Sequence, residues 1–295
     1  MDGRGGLRRR RLLAAAVAMA AGGCAAPADP RAQRLQDALA ELERRHGGRL
    51  GVAVLETGTM AMAAHRGGER YAMCSTFKLL AAGAVLARVD RGQESPARRV
   101  VYGAEALVPY SPATQGRTGP PGMSVSALCE AALTLSDNTA ANLLLDSLGG
   151  PAGLTAWLRG IGDPHTRLDR REPDLNQAAP GDERDTTTPE AMVRTLHALL
   201  LGGALAPASV RQLGSWLESS RTGGRRLRAG VPAGWRVGDK TGSGGHANTH
   251  DVAAIWPPGR APLLVAAYYA ESPAPDQERE AVLAEVGRLA VSIRA

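Results

Sequence analysis

The sequence predicts an α+β fold, an α/β sandwich. One antiparallel sheet is built from both chain ends and flanked by N- and C-terminal helices, with an all-helical lobe inserted between the strands. Three observations predict it: strand-like apolar runs near both ends, helical spacing through the middle, and an amphipathic helix at each end. With 295 residues, 44% hydrophobic and 22% charged, the chain can bury a sizeable core. Residues 1–28 read as an export signal and 29–295 as one domain, with an α/β lobe (29–68 plus 218–295) and a helical lobe (69–217).

The elements follow in order. Residues 31–46 place apolar side chains at helical spacing and stop at Gly47-Gly48, a C-cap signal. "RLGVAVLET", a turn at Gly58 and "MAMAAHR" read as a β-hairpin. "STFKLLAAGAVLARVDRG" reads as a helix running from a Ser75 cap to a glycine stop. "SVSALCEAALTLS" and "TAANLLLDSLGG" are two more helices with a break between them, which Ser136 or Asp137 can cap. "TTTPEAMVRTLHALL" has Thr188 as cap and Pro189 at the first helical position, and "PASVRQLGSWLES" follows as another helix. "WRVGDKTGSG", "DVAAIWPP" and "PLLVAAYYAES" return to strand character, and "DQEREAVLAEVGRLAVSIR" closes the chain as a helix.

Charge excludes one class of partner. The formal +6 arises mainly in residues 1–23, where Arg4, Arg8, Arg9, Arg10 and Arg11 face only Asp2. The rest carries no basic stripe with interleaved aromatics, so no nucleic-acid partner is expected. The basic run, the apolar "LLAAAVAMAA" and the small residues after it form an export signal too short to span a bilayer. Cys24 is a possible lipobox acceptor, giving a lipid tether. "APA" at 26–28 offers ordinary cleavage instead, and the arginines permit twin-arginine export. The mature protein is thus expected outside the cytoplasm, secreted, periplasmic or envelope-bound. No cysteine or histidine spacing matches a metal site, and no cofactor is expected.

Lysine usage is sharper. Of 35 basic residues only Lys78 and Lys240 are lysines. Arginine does not release its proton in a protein, whereas a buried lysine can, so these two positions point to proton transfer or a point charge. Both fall inside motifs: "STFK" at 75–78, "SDN" at 136–138, "EPDLN" at 172–176 and "KTG" at 240–242. Each alone is weak. In this order, at a helix start, a helix break, a loop and a strand, chance explains them poorly.

Together they resemble the class A serine β-lactamases of the penicillin-binding protein and serine β-lactamase superfamily. The likeness extends over the chain after the signal, through "VPYSP" at 108–112, "PGDERDTTTPE" at 180–190 and "AGWRVGDKTGSG" at 233–244. The resemblance implies a hydrolase acting on a small-molecule β-lactam as a monomer. Ser75 would be the nucleophile, activated by Lys78 or by Glu172 through a water, and Glu172 with Asn176 would drive deacylation. Ser136 would relay a proton to the leaving nitrogen. The Ser75 and Ser243 backbone N–H groups would form the oxyanion hole. Asn138 would hold the substrate amide, with Tyr110 as an aromatic wall. Lys240, Thr241, Gly242 and Ser243 would receive the carboxylate. Arg226 would support it in place of an arginine that other members carry where Thr249 stands. Arg170 and Asp185 would close the neck of the loop bearing Glu172. An X-Pro bond adopts cis at about 1 kcal/mol, and a cis Glu172–Pro173 bond would turn that carboxylate inward.

Two departures concern cysteines. The family disulfide from Cys129's position would end at Ala82, and one found in carbapenem-hydrolysing members would join Cys74 to the position of Gly244. Neither bridge is expected. The rival readings are a D-Ala-D-Ala peptidase or transpeptidase and a β-lactam sensor that stays acylated. Both should lack a deacylating carboxylate.

Overall fold

A computed structural model describes residues 1–2 and 30–292; the expected export signal, Cys24 included, lies outside the described residues but for Met1 and Asp2. The chain runs α1 (Pro30–His46), β1 (Arg49–Glu56), β2 (Ala61–His65), β3 (Tyr71–Ala72), α2 (Phe77–Asp90), β4 (Arg99–Val100), β5 (Met123–Ser124), α3 (Val125–Thr134), α4 (Asn138–Ser147) and α5 (Gly150–Gly160). It continues through β6 (Thr186–Thr187), α6 (Pro189–Leu200), α7 (Pro207–Glu218), β7 (Arg236–Gly244), β8 (Asn248–Trp256), β9 (Leu263–Ala270) and α8 (Asp276–Ser292).

The five long strands form one sheet in the order β2-β1-β9-β8-β7, and every neighbouring pair is antiparallel. Its centre is the pairing of β1 with β9, from Arg49 opposite Ala270 to Glu56 opposite Leu263. The two chain ends thus meet in the sheet. Both faces of these strands are covered, which is why they read as continuous apolar runs rather than as alternating ones. Leu50, Val52, Val54, Val265 and Tyr269 pack with Leu39 of α1 and Leu283 of α8. Ala53, Leu55, Leu264, Ala266 and Tyr268 belong to the core on the other face, with Phe77 and Leu199 of the helices. Each large apolar side chain so buried contributes about 1.5–3 kcal/mol.

α2 lies within the helical layer and is buried continuously from Phe77 to Ala87. A helix apolar all round belongs in a core, and Lys78 is carried into it. The expected Ser75 cap is not found. Ser75 lies in a 3₁₀ turn, Cys74–Thr76, and the cap position before α2 is Thr76, which makes no side-chain capping bond. The hydroxyl of Ser75 is engaged elsewhere.

α5 is absent from the sequence expectations because it opens on glycine and proline, which read as a turn. Buried Leu154 and Leu158 hold it in place, packing against the core overriding weak local signals. The two-residue ladders β3–β6 and β4–β5 are too short to show periodicity. The first ties Ala72 to Thr186, bringing the chain before Ser75 to the end of the loop that carries Glu172. β8 begins at Asn248, earlier than the apolar run from Asp251, because Asn248, Thr249 and His250 pair with β7.

Candidate active site

The turn before α2 places Ser75 over Lys78. Lys78 Nζ donates to Ser75 Oγ at 2.9 Å, and Ser75 Oγ donates to Glu172 Oε1 at 3.1 Å. The hydroxyl thus accepts from an amine and points its proton at a carboxylate. Lys78 also lies 3.0 Å from Glu172 Oε1 and donates to Ser136 O at 2.8 Å and to Asn138 Oδ1 at 2.6 Å. Lys78 is fully buried. Burial pushes its pKa below the ordinary lysine value, with the Glu172 charge opposing that shift.

The break between α3 and α4 presents Ser136 and Asn138. Asp137 is the organiser. Its buried carboxylate caps α4 through Ala140 N at 2.8 Å and accepts from Ala113 N at 2.8 Å, Thr114 N at 3.0 Å and Thr114 Oγ1 at 2.9 Å. This pins the loop carrying Tyr110 to the helix start. Tyr110 itself is exposed, and its carbonyl accepts from Asn138 N at 3.0 Å. Ser136 Oγ receives hydrogen bonds from both lysines, at 3.0 Å from Lys240 Nζ and 3.3 Å from Lys78 Nζ. Cys74, Tyr110 and Ser136 all take left-handed backbone conformations, with φ of 44°, 62° and 58°. Such non-glycine residues cost on the order of 1–3 kcal/mol each and gather at functional sites.

The loop between α5 and α6 brings in the acid. The Glu172–Pro173 bond is cis, and Glu172 is 3% exposed. Its second oxygen, Oε2, accepts from Asn176 Nδ2. Arg170 Nε and Asp185 Oδ2 are 2.6 Å apart, and Asp185 Oδ1 also accepts from the Asp169 and Arg170 backbone N–H groups at 2.8 Å. The loop neck is therefore closed by a buried carboxylate. Met73 N donates to Asp185 O at 2.8 Å, joining that neck to the chain just before Ser75.

β7 closes the cleft from the other side. A Cβ on Gly242 would lie 2.8 Å from Met73 O, and one on Gly244 2.7 Å from Cys74 Sγ. Only glycine lets the strand approach so closely. Lys240 Nζ donates to Ser136 Oγ and, at 2.8 Å, to Thr241 O, while Thr241 Oγ1 meets Thr222 Oγ1 at 2.6 Å. Burial and the charge of Lys78 lower the Lys240 pKa to about 7. The buried Arg226 donates to Gly242 O at 2.9 Å, His250 O at 2.8 Å and Ser243 Oγ at 2.8 Å. Its guanidinium runs behind β7 and reaches the cleft through Ser243. Thr249 is occupied by Arg279 Nε at 2.9 Å. Cys74 and Cys129 are free, buried thiols.

The structure brings Ser75, Lys78, Ser136, Asn138, Glu172, Asn176 and Lys240 into one hydrogen-bonded cluster. Sequence reasoning missed Asn142. Its Nδ2 donates to Glu172 O at 2.9 Å and its Oδ1 accepts from Glu172 N at 3.1 Å, clamping the backbone of the acid. The available signal was spacing, since Asn142 lies one helical turn after Asn138 on α4.

A sequence profile of the beta-lactamase enzyme family matches residues 33–293. Beta-lactamase AST-1 of Nocardia asteroides is 46% identical over 302 residues, spanning 96% of this chain and 95% of the relative. The carbapenem-hydrolyzing beta-lactamase KPC of Klebsiella oxytoca is 47% identical over 253 residues, spanning 85% of this chain and 86% of its own. Among solved structures, an ancestral (GNCA) class A beta-lactamase superposes with a TM-score of 0.86 at 64% identity, covering 88% of this chain and 99% of that one. The putative class A beta-lactamase PenP from Rhodopseudomonas palustris gives 0.86 at 56% identity, with the same coverage of 88% and 99%. A turn bearing Ser75, two buried lysines and a loop bearing Glu172 thus sit on a fold shared with these enzymes over most of the chain, and the chain belongs to the beta-lactamase enzyme family, class A.

Proposed function

We propose that the protein hydrolyses the amide bond of β-lactams through an acyl-enzyme on Ser75. Ser75 Oγ attacks the lactam carbonyl carbon and gives up its proton to Lys78 or Glu172. The negative oxygen is received by the Ser75 and Ser243 backbone N–H groups; one such donor is worth about 10²–10³ in rate. The carbon–nitrogen bond breaks, and Ser136, linked to both lysines, passes a proton to the nitrogen. A water held between Glu172 and Asn176 then attacks the ester. Glu172 takes its proton, Ser75 recovers its own, and the ring-opened acid leaves. Asn138 and Tyr110 contact the substrate's amide side, while Lys240, Thr241, Gly242 and Ser243 receive its carboxylate.

One observation carries this reading: the carboxylate of Glu172 lies 3.1 Å from the nucleophile and is bonded to Asn176. A peptidase or an acylated sensor has no use for an acid in that place. The experiment is mass spectrometry of Glu172→Ala mixed with a chromogenic cephalosporin. Acyl-enzyme should accumulate to one equivalent, with turnover reduced by about 10³ or more, the scale of losing a general base. Multiple turnover at the native rate would sink the assignment, and a one-equivalent burst in the native protein would favour the sensor.

The basic and apolar start of the chain supports export, by the general or the twin-arginine route, with Cys24 as the point of lipid attachment if the tether is made. The proposed reaction calls for no cofactor, because its acid, base and nucleophile are all side chains, and the reading keeps the monomer that the family resemblance implies.

A further inference from the structure

Another cleft, of about 590 Å³, opens between α3 and the loop that joins β4 to β5; its wall includes Pro112, Arg117, Glu130, Leu135 and Arg221. Three stretches of chain pass from this wall to the catalytic cluster within two residues. Leu135 precedes Ser136, and Pro112 follows Tyr110 by two. Arg221 precedes Thr222, whose hydroxyl meets Thr241 Oγ1 at 2.6 Å. The wall is braced. Arg221 N donates to Thr134 O at 3.0 Å, tying the segment after α7 to the end of α3. Arg117 N donates to Thr114 O at 3.0 Å, and Thr114 is itself held by Asp137. The backbones carrying Arg117 and Arg221 therefore keep fixed places beside Ser136.

Charge distinguishes this cleft. Arg225, Arg228 and Arg236 are each paired with an acid. Arg117 and Arg221 are exposed, and among the described residues neither guanidinium forms an ion pair. Two guanidiniums and one carboxylate, Glu130, line the cleft, which leaves it net positive. In a bicyclic β-lactam the carboxylate and the ring substituent beside it lie on the side of the lactam nitrogen. With Ser136 serving that nitrogen and Thr241 that carboxylate, the substituent leaves the catalytic cleft past Ser136 and Thr222, towards Leu135 and Arg221. We propose that this cleft is a subsite for an anionic arm: a β-lactam with a second carboxylate on the substituent next to the first is drawn to Arg221 and Arg117. The inference rests on the hydrolase reading given above. It selects among substrates by the charge of a group that takes no part in bond breaking.

The test uses two cephalosporins, one with a succinyloxymethyl arm beside the ring carboxylate and one with the methyl ester of that arm, so that size is matched and charge is not. Steady-state kinetics at low ionic strength are compared in the native enzyme, Arg117→Gln, Arg221→Gln, the double variant and Glu130→Gln. The native enzyme should favour the acid arm about fivefold in kcat/KM, the scale of one or two solvent-exposed ion pairs, with the difference in KM. Salt at about 0.5 M should shrink that ratio. Each single arginine variant should lose part of it and the double variant should bring it to one, while Glu130→Gln should raise it. On the ester arm every variant should match the native enzyme. Equal kinetics for the two arms in the native enzyme, a preference that survives in the double variant, or a ratio lowered by Glu130→Gln would overturn the proposal. So would equal losses on both arms in the double variant, which would make the arginines braces of the fold. Failure of the native enzyme to turn over either cephalosporin would take down the hydrolase reading itself, and the proposal with it.

Discussion

At the scale of single residues, the two lysines decide the chemistry. Both are wholly buried, and burial lowers the pKa of each. Motif and composition marked them in the sequence, because a chain that otherwise uses arginine kept lysine where a proton can leave. Their mutual closeness, through one hydroxyl of Ser136, was not legible, since 58 residues separate Ser136 from Lys78 and 104 separate it from Lys240. The Lys240 value of about 7 has a direct consequence. Below that pH the ammonium is charged and attracts a carboxylate. Above it, binding must first take up a proton, so KM for a carboxylate substrate should rise, by about tenfold per pH unit once well past the pKa. Steady-state kinetics across that range check this, with Lys240→Arg as the comparison. Arginine stays charged, so the alkaline rise in KM should vanish in that variant; its persistence would remove Lys240 as the titrating group.

At the scale of elements, the site depends on how a helix start, a loop and a strand are tied together. Asp137 is the clearest tie. The sequence identified it as a candidate cap, and it does cap α4. The sequence could not show that the same carboxylate holds Ala113 and Thr114, because that contact is set by how the loop folds back. Asp137→Ala should cost on the order of 3 kcal/mol, combining a lost cap with buried donors left unpaired. The urea midpoint measures this. Activity should fall further than stability explains, because Ser136 and Asn138 flank the lost anchor. A variant with native midpoint and native kcat would show that the tie is dispensable. Asn142 teaches the same lesson from the other side. Its one sequence signal is its spacing one turn after Asn138, and only the folded loop shows that it grips both backbone groups of Glu172.

At the scale of the whole molecule, the sheet is covered on both sides and encloses polar groups that affect stability against pH. His250 on β8 is fully buried. Its Nδ1 accepts from Tyr269 N at 3.2 Å, which leaves the proton on Nε2, and burial lowers its pKa to about 3. In the unfolded chain a histidine titrates near about 6.5. Between those values the unfolded state binds a proton that the native state refuses, so stability is full above the unfolded value and falls with pH through the window. The fully buried Asp251, raised by burial and by Asp239, acts with the opposite sign as pH rises. Comparison with His250→Asn separates the two, because Asp251 is common to both proteins and the asparagine oxygen can accept from Tyr269 N. Urea unfolding between about pH 7 and pH 4 should show the native protein losing several kcal/mol more than the variant over that range. Parallel curves would acquit His250.

The sequence by itself determined the layer plan and the chemical cast. Apolar runs at both ends required a sheet shared between them, helical spacing required a layer between, and four short motifs named a hydroxyl, two amines and an acid. These are legible because periodicity and residue type are local properties. Tertiary structure alone decided the rest. It took Ser75 out of the cap position and fixed its hydrogen bonds to Lys78 and Glu172, built α5 from a segment that reads as a turn, and set Arg226 behind β7 with a carboxylate from the last helix. The physical reason is that burial and distance between residues far apart in the chain are set only when the whole core packs, and those two quantities govern proton affinity and hydrogen-bond direction in the cleft.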